Sequence, residues 1–206
     1  MDLASDYGSG DLGRWAVDEF GLPAFHYEVD ERTDPRARQP ELGGKTEAQH
    51  QLGNDAIVAA AFNHGYTQLW SQARLSQWAN RYDEGQRHYA GGFGYLRAGG
   101  RVWSTLQLDL PPDGALEREF GVGYVRKTLR AGDLEVQETT YAPFGDAPLL
   151  FDDVVIANRG TAPASVSWFE YWDVNPFDQT ASSARGVSSP TWDADRGLLT
   201  ASQRPG

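Results

Sequence analysis

Cysteine is absent from this chain of 206 residues, so neither a disulfide nor a thiolate metal site can contribute to its stability or chemistry. That absence fits a reducing compartment, and a cytoplasmic location is the expectation. Positive charge is scarce: 18 Lys and Arg stand against 29 Asp and Glu, a net charge of −11. The acidic excess is spread along the chain. Nowhere do Lys and Arg cluster as phosphate contacts require, which excludes nucleic acid as a partner and argues against an anionic membrane surface. Long hydrophobic runs are missing too, and no segment approaches the length needed to cross a bilayer. The opening MDLASDYGSG has neither the basic region nor the apolar run of a signal peptide. No stretch reads as a convincing amphipathic helix.

What is present is apolar and aromatic. Hydrophobic residues make up 40% of the chain and aromatic ones 12%, enough to fill a core, so disorder is excluded as the overall state. The length suits one large β domain over residues 1–206. The stretch Gly91 to Leu106, GGFGYLRAGGRVWSTL, reads as two short strands around a Gly99-Gly100 loop. Gly91, Gly92 and Gly94 around a large aromatic predict that another backbone or a ligand comes close there. Residues 14–29 read as a strand, a turn at Gly21-Leu22-Pro23 and a second strand; residues 30–49 read as a long loop. The run Ala56 to Phe62 lies between two turn signals, Gly53-Asn54-Asp55 and Asn63-His64-Gly65, whose spacing favours a strand over a helix. Tyr66 to Trp70 alternates as the next strand. Phe120 to Val125 is read as the start of another hairpin that returns through Ala131-Gly132-Asp133. Leu134 to Tyr141 alternates in period two over eight residues, Leu149 to Ala157 reads as a buried strand, Ser165 to Val174 as another, and Thr191 to Thr200 as a last hairpin. Strand after strand, with a turn every eight to twelve residues, predicts an all-β antiparallel sandwich.

Five motifs in succession carry a family resemblance: GNDAIVAAAFNHGYTQLWS (53–71), GGFGYL…WSTL (91–106), FGVGYVRKT (120–128), TTYAPFGDAPLLFDDVVIANRG (139–160) and WFEYWDVNPF (168–177). In order and spacing, from about Trp15 to Thr200, they resemble the N-terminal β-sandwich of glycoside hydrolase family 94. That family includes cellobiose and chitobiose phosphorylases and parts of cyclic β-1,2-glucan synthases. The resemblance implies a large super-sandwich of the galactose mutarotase-like type. It also implies a parent enzyme that splits β-linked glucosides with inversion, using inorganic phosphate as co-substrate and no other cofactor. Its catalytic acid would lie in a following (α/α)6 barrel, so no catalytic residue is assigned to any position here. The chain then reads as the front of a longer protein, ending at Gly206 without a terminal cap, and the family implies a homodimer. Two other readings stay open: a free-standing carbohydrate-binding or interaction module, and a parent that hydrolyses or transfers without phosphate.

Candidate site residues are weighed against plainer roles. Asp152-Asp153 and Asp18-Glu19 are adjacent carboxylates, which on a strand point to opposite faces and cannot flank one scissile bond. The spacing of His26, His50, His64 and His88 matches no metal motif, so no metal site is assigned. His64, between Asn63 and Gly65, reads first as a turn residue. His50, with Asn54 and Asp55, follows the long loop and is the best candidate for a substrate-facing edge; Asn63, His64 and Trp103 complete the substrate-adjacent set. The aromatic strand SVSWFEYWDV puts Trp168, Glu170 and Trp172 on one face and Phe169 and Tyr171 on the other. Such rings fill cores more often than they stack on sugars.

Overall fold

Period-two alternation does produce strands through most of the chain. The computed structural model describes residues 12–37, 47–72, 77–80, 82–83, 88–178 and 189–202. In chain order the strands are β1 (Gly13–Val17), β2 (Pro23–Tyr27), β3 (Gln49–Gly53), β4 (Ile57–Phe62), β5 (Thr67–Ser71) and β6 (Gln77–Asn80). There follow the two-residue strands β7 (Tyr82–Asp83) and β8 (His88–Tyr89), then β9 (Gly91–Ala98), β10 (Arg101–Ser104), β11 (Gly114–Gly121) and β12 (Tyr124–Ala131). The chain continues with β13 (Leu134–Tyr141), β14 (Phe151–Asn158), β15 (Val166–Trp172), β16 (Val174–Asp178), β17 (Ser189–Asp193) and β18 (Leu198–Ser202). The helical residues described are two 3-10 turns, Pro35–Ala37 and Gln107–Asp109, and no helix among the described residues is long and apolar enough to cross a membrane.

The architecture is an all-β antiparallel sandwich. One layer is a six-stranded sheet in the order β1-β2-β11-β12-β13-β14. A five-stranded sheet, β16-β6-β5-β4-β3, and a three-stranded one, β10-β9-β15, together cover its inner face. Two apolar clusters fill the interior. In the first, Tyr27, Phe120 and Val125 of the six-stranded sheet meet Leu52, Ala59 and Ala61 of the five-stranded one. In the second, Leu129, Leu134 and Val136 meet Leu96 and Trp103 of the three-stranded one. A third cluster, around Ala60, Phe62, Tyr66, Phe93 and Leu106, lies on the outer side of the covering layer, because β4 alternates and turns Ala59 and Ala61 inward but Ala60 and Phe62 outward.

The hairpin around Gly99-Gly100 forms as read, with Ala98 opposite Arg101 and both glycines at positive φ, +55° and +78°. The glycines before it have a specific purpose. A Cβ on Gly94 would lie 1.9 Å from the Trp168 ring, and one on Gly91 would lie 2.7 Å from the Trp172 backbone. The close approach expected there is made by strand β15 of the same chain.

Four readings need correction. Residues before Phe120 form a full strand, β11, so Val122-Gly123 is a hairpin loop in a three-stranded meander; the charged run Leu116 to Glu119 concealed it. Strand β3 takes in both Gln49, read as the end of the loop, and Gly53, read as part of a turn, and its alternation is short and mostly polar. Leu149 and Leu150 precede β14, and that strand is no buried one: Phe151, Asp153, Val155 and Asn158 are exposed. The long loop over 30–49 is interrupted by the Pro35–Ala37 turn and gives way to β3 already at Gln49, while its residues 38–46 lie outside the described residues.

Gly65 closes the β4–β5 hairpin at φ +99°, where a Cβ would meet the Thr105 carbonyl oxygen at 2.2 Å. Gly65→Ala should therefore cost at least about 2 kcal/mol in a urea melt, since left-handed backbone alone costs about 1–2 kcal/mol for a residue with a Cβ. Gly100→Asn, at a positive-φ position with open space around it, should stay within about 1 kcal/mol of the parent.

Candidate functional site

Between the first two apolar clusters runs a row of charge. Cross-strand register places Tyr27, Arg118, Lys127 and Glu138 side by side on the inner face of the six-stranded sheet. Arg118, Lys127 and Glu138 are all buried, at 3%, 2% and 0% exposure. Charges that deep persist only if paired and hydrogen-bonded. Arg118 Nη1 donates to Glu31 Oε2 (2.7 Å) and to the Asn63 carbonyl (2.5 Å), Nη2 donates to the Val29 carbonyl (2.6 Å), and the guanidinium lies over the Tyr27 ring. Lys127 Nζ donates to the Gly65 carbonyl (3.1 Å), the Gly92 carbonyl and Glu138 Oε1, which uses all three of its protons. Gln107 N donates to the His64 carbonyl at 2.8 Å. The three consecutive carbonyls of Asn63, His64 and Gly65 are thus held by Arg118, Gln107 and Lys127.

Glu138 continues the row into a carboxylate group. Its Oε2 accepts from the Thr105 hydroxyl at 2.6 Å, and its pKa is raised, by burial first, with Asp152 adding and Lys127 opposing. Glu138, Asp152 and Glu170 each bring a carboxylate oxygen within 4.8 Å of the others. Asp152 Oδ1 accepts from Thr140 (3.0 Å), while its Oδ2 is buried without a donor among the described residues. Glu170 Oε2 accepts from Trp168 Nε1 at 3.1 Å. The Glu170 carboxyl is pushed up to about 8, by desolvation first and then by Glu138 and Asp152. More than a third of the residue is open to solvent, which weakens the first cause; the repulsion from two adjacent carboxylates acts regardless. Oxygen ligands of this kind suit hard divalent cations. Here, however, Glu138 has both oxygens engaged by Lys127 and Thr105, so the remaining pair, Asp152 and Glu170, is arranged to share a proton.

The other side of β15 faces an aromatic surface. Phe169 and Tyr171 are 51% and 38% exposed and pair across the strands with Tyr95 and Phe93. Phe93 and Tyr171 have ring centroids 5.1 Å apart. Tyr82 stacks on buried Tyr66 at 4.7 Å and 3° and lies 6.0 Å from Tyr89; Trp70 and Trp78 stand 4.6 Å apart on β5 and β6. Trp70, Tyr82, Tyr89 and Tyr95 are half-buried against the third cluster, each with part of its ring open. Polar groups border the surface: Tyr95 donates to Asp109 at 2.9 Å, Arg97 lies over Phe169, and His88 stands 3.4 Å from Asp173.

The residues proposed from sequence fall into three places. His50 Nε2 donates to the Gly121 carbonyl at 2.8 Å, and burial lowers its pKa, favouring the neutral ring. Asn54 holds the β3–β4 turn: Nδ2 donates to the Pro143 and Ala147 carbonyls, and Oδ1 accepts from the Ala56 and Ile57 amides. Asp55 is exposed beside it and donates its backbone N–H to Gly145. Asn63 and His64 sit at the far end of β4, both buried; Asn63 Nδ2 donates to the Tyr27 hydroxyl and to Glu31. Trp103 is buried in the second cluster under Arg101. The length of β4 separates Asn54 and Asp55 from Asn63 and His64, while His50, paired with Ala61, stands at the Asn63 end and reaches Gly121 of the facing sheet. Asp152 and Asp153 do point to opposite faces, toward Thr140 and Tyr141.

The residues missed were Lys127 and Glu138. Their signal was phase: Lys127 shares its strand face with Val125, Leu129 and Ala131, and Glu138 shares its own with Leu134, Val136 and Thr140. No family model matches the chain, and the search of curated proteins finds no relative.

Because the Glu170 pKa is raised from the ordinary 4.5 to about 8, the folded state keeps a proton in that window that the unfolded chain releases. The contribution is present at low pH and is lost as pH rises toward about 8. Thermal melts across this window should show the wild type losing stability more steeply than Glu170→Gln, and the two curves should run parallel above it.

Proposed function

We propose that this chain is a non-catalytic β-sandwich of a carbohydrate-active enzyme, an inverting glycoside phosphorylase acting on β-linked glucosides with inorganic phosphate. In this reading the sandwich supports a separate (α/α)6 catalytic barrel within a homodimer and presents its outer aromatic surface to the sugar chain. The motif series resembling glycoside hydrolase family 94 supplies the class of parent. One observation carries the role of the sandwich: the partly open rings of Tyr171, Phe169, Tyr95, Tyr89 and Trp70 on the outer side of the covering layer. Pyranose rings offer flat C–H faces that pack on such rings, and the bordering Asp109 and Arg97 supply hydrogen-bonding groups.

The buried charges support the non-catalytic part of the reading. Lys127, Glu138 and Arg118 are occupied in holding turns together, which suits structure better than turnover. A free-standing carbohydrate-binding module would use the same surface. Phosphate-dependent release of a sugar 1-phosphate by the complete protein separates the two readings.

Cello-oligosaccharides titrated into the chain should shift its tryptophan fluorescence with sub-millimolar to millimolar affinity. Tyr171→Ala and Phe169→Ala should each weaken binding about tenfold while leaving the melting temperature within a few degrees. Unchanged affinity in both variants, or no binding to any β-glucan, would remove the aromatic surface from the account.

A further inference from the structure

Strands β14 and β15 end their sheets on the same flank of the sandwich. The six-stranded sheet stops at β14 and the three-stranded sheet at β15, and among the described residues each has a hydrogen-bonded neighbour on one side only. They face each other across the interior: Val154, Ile156 and Trp168 pack against one cluster, and Asp152 and Glu170 belong to one carboxylate group. Deeper in that interior Leu129 and Val136 are fully buried. Along this flank the inward residues stay open, Val154 and Ile156 in part and Glu170 and Val166 by more than a third.

Edge strands are commonly guarded by Lys, Pro, a bulge or shortness. Strand β14, FDDVVIAN, is eight residues long and has no Lys or Pro, and its pairing with β13 runs without a register shift from Phe151 to Asn158. A free edge of that kind presents unpaired backbone groups to an added strand. The charge along the seam is one-sided. Lys127 already has its three protons on Glu138, Gly65 and Gly92, so it offers none to Asp152 or Glu170, and beyond the proton shared with Glu170 the buried Asp152 Oδ2 finds no donor among the described residues.

We propose that the free edge of β14 is a docking site for an extended peptide segment carrying a lysine or arginine, which adds a strand antiparallel to β14 and places its cation on Asp152 and Glu170. In that register the side chains opposite Val154 and Ile156 are apolar and close the interior, while the one opposite Asp152 is the cation. The cation takes the place of the proton that Asp152 and Glu170 share, which is released to solvent, and its charge-assisted bonds satisfy both carboxylates.

The probe is a capped heptapeptide, Thr-Val-Thr-Val-Thr-Lys-Thr, added to the 206-residue chain while amide hydrogen exchange is followed by NMR. Exchange of β14 amides should slow at least tenfold at saturation. The same peptide with Glu in place of Lys should bind at least tenfold more weakly, and the Asp152→Asn/Glu170→Gln variant should lose the preference for Lys. Equal binding of the two peptides overturns the proposal, as does protection confined to other strands or no protection at millimolar peptide. So does protection of β14 that grows with protein concentration alone, which would make the occupant a second copy of the chain. The peptide comparison needs no variant, so a folding defect cannot mask the result. Sugar titrations report on the opposite face of β15 and stand or fall separately.

Discussion

The ammonium of Lys127 is shared among three sheets. It leaves β12 of the six-stranded sheet, neutralises Glu138 of the neighbouring strand, and donates to Gly65 at the tip of the β4–β5 hairpin and to Gly92 at the start of β9. Arg118, one strand away, does the same for Asn63 and Val29 and pairs with Glu31. Together the two cations replace, between layers, the directional bonds that a β-ladder supplies within one. Apolar packing on either side is not directional. The charge row and Glu31 fix where the covering sheets sit on the six-stranded one, at the expense of desolvating four ionic groups.

That constraint leads to β15. Once Gly92 is held by Lys127, β9 is positioned, and β15 pairs along it with its indoles over glycines: Trp168 on Gly94 and Trp172 on Gly91 and Gly92. One face of β15 is thereby committed to the interior, where Glu170 meets Asp152 and Glu138, and the other carries Phe169 and Tyr171 onto the outer aromatic surface. The two surfaces with functional character are the two sides of one strand. Their chemistry differs because the alternation of the strand separates carboxylate from ring.

Much of the fold was legible because it depends on local signals. Gly99-Gly100 and Gly132-Asp133 mark hairpin loops, and Leu134 to Tyr141 alternates without exception, Leu134, Val136, Glu138 and Thr140 buried and the residues between them less so. The turn at Asn63-His64-Gly65 was legible as a turn, but not as the point held by two cations, because Arg118 and Lys127 are more than fifty residues away in sequence. Strand β11 was obscured by its own function: Arg118 is an interior residue of the wrong type for an apolar phase, so Leu116 and Phe120 on either side of it did not read as one face. The carboxylate group was illegible for the same reason. Glu138, Asp152 and Glu170 come from three strands in two sheets, and their meeting depends on how the layers stack.

The shared ammonium is tested most directly by urea unfolding of Lys127→Met beside Lys127→Met/Glu138→Leu. Removing one partner of a buried pair costs about 3–5 kcal/mol, so the single variant should lose that much. The double variant should recover only part, because the Gly65 and Gly92 carbonyls remain without their donor. A single variant within about 1 kcal/mol of the wild type would contradict the claim that this ammonium holds the three sheets in place.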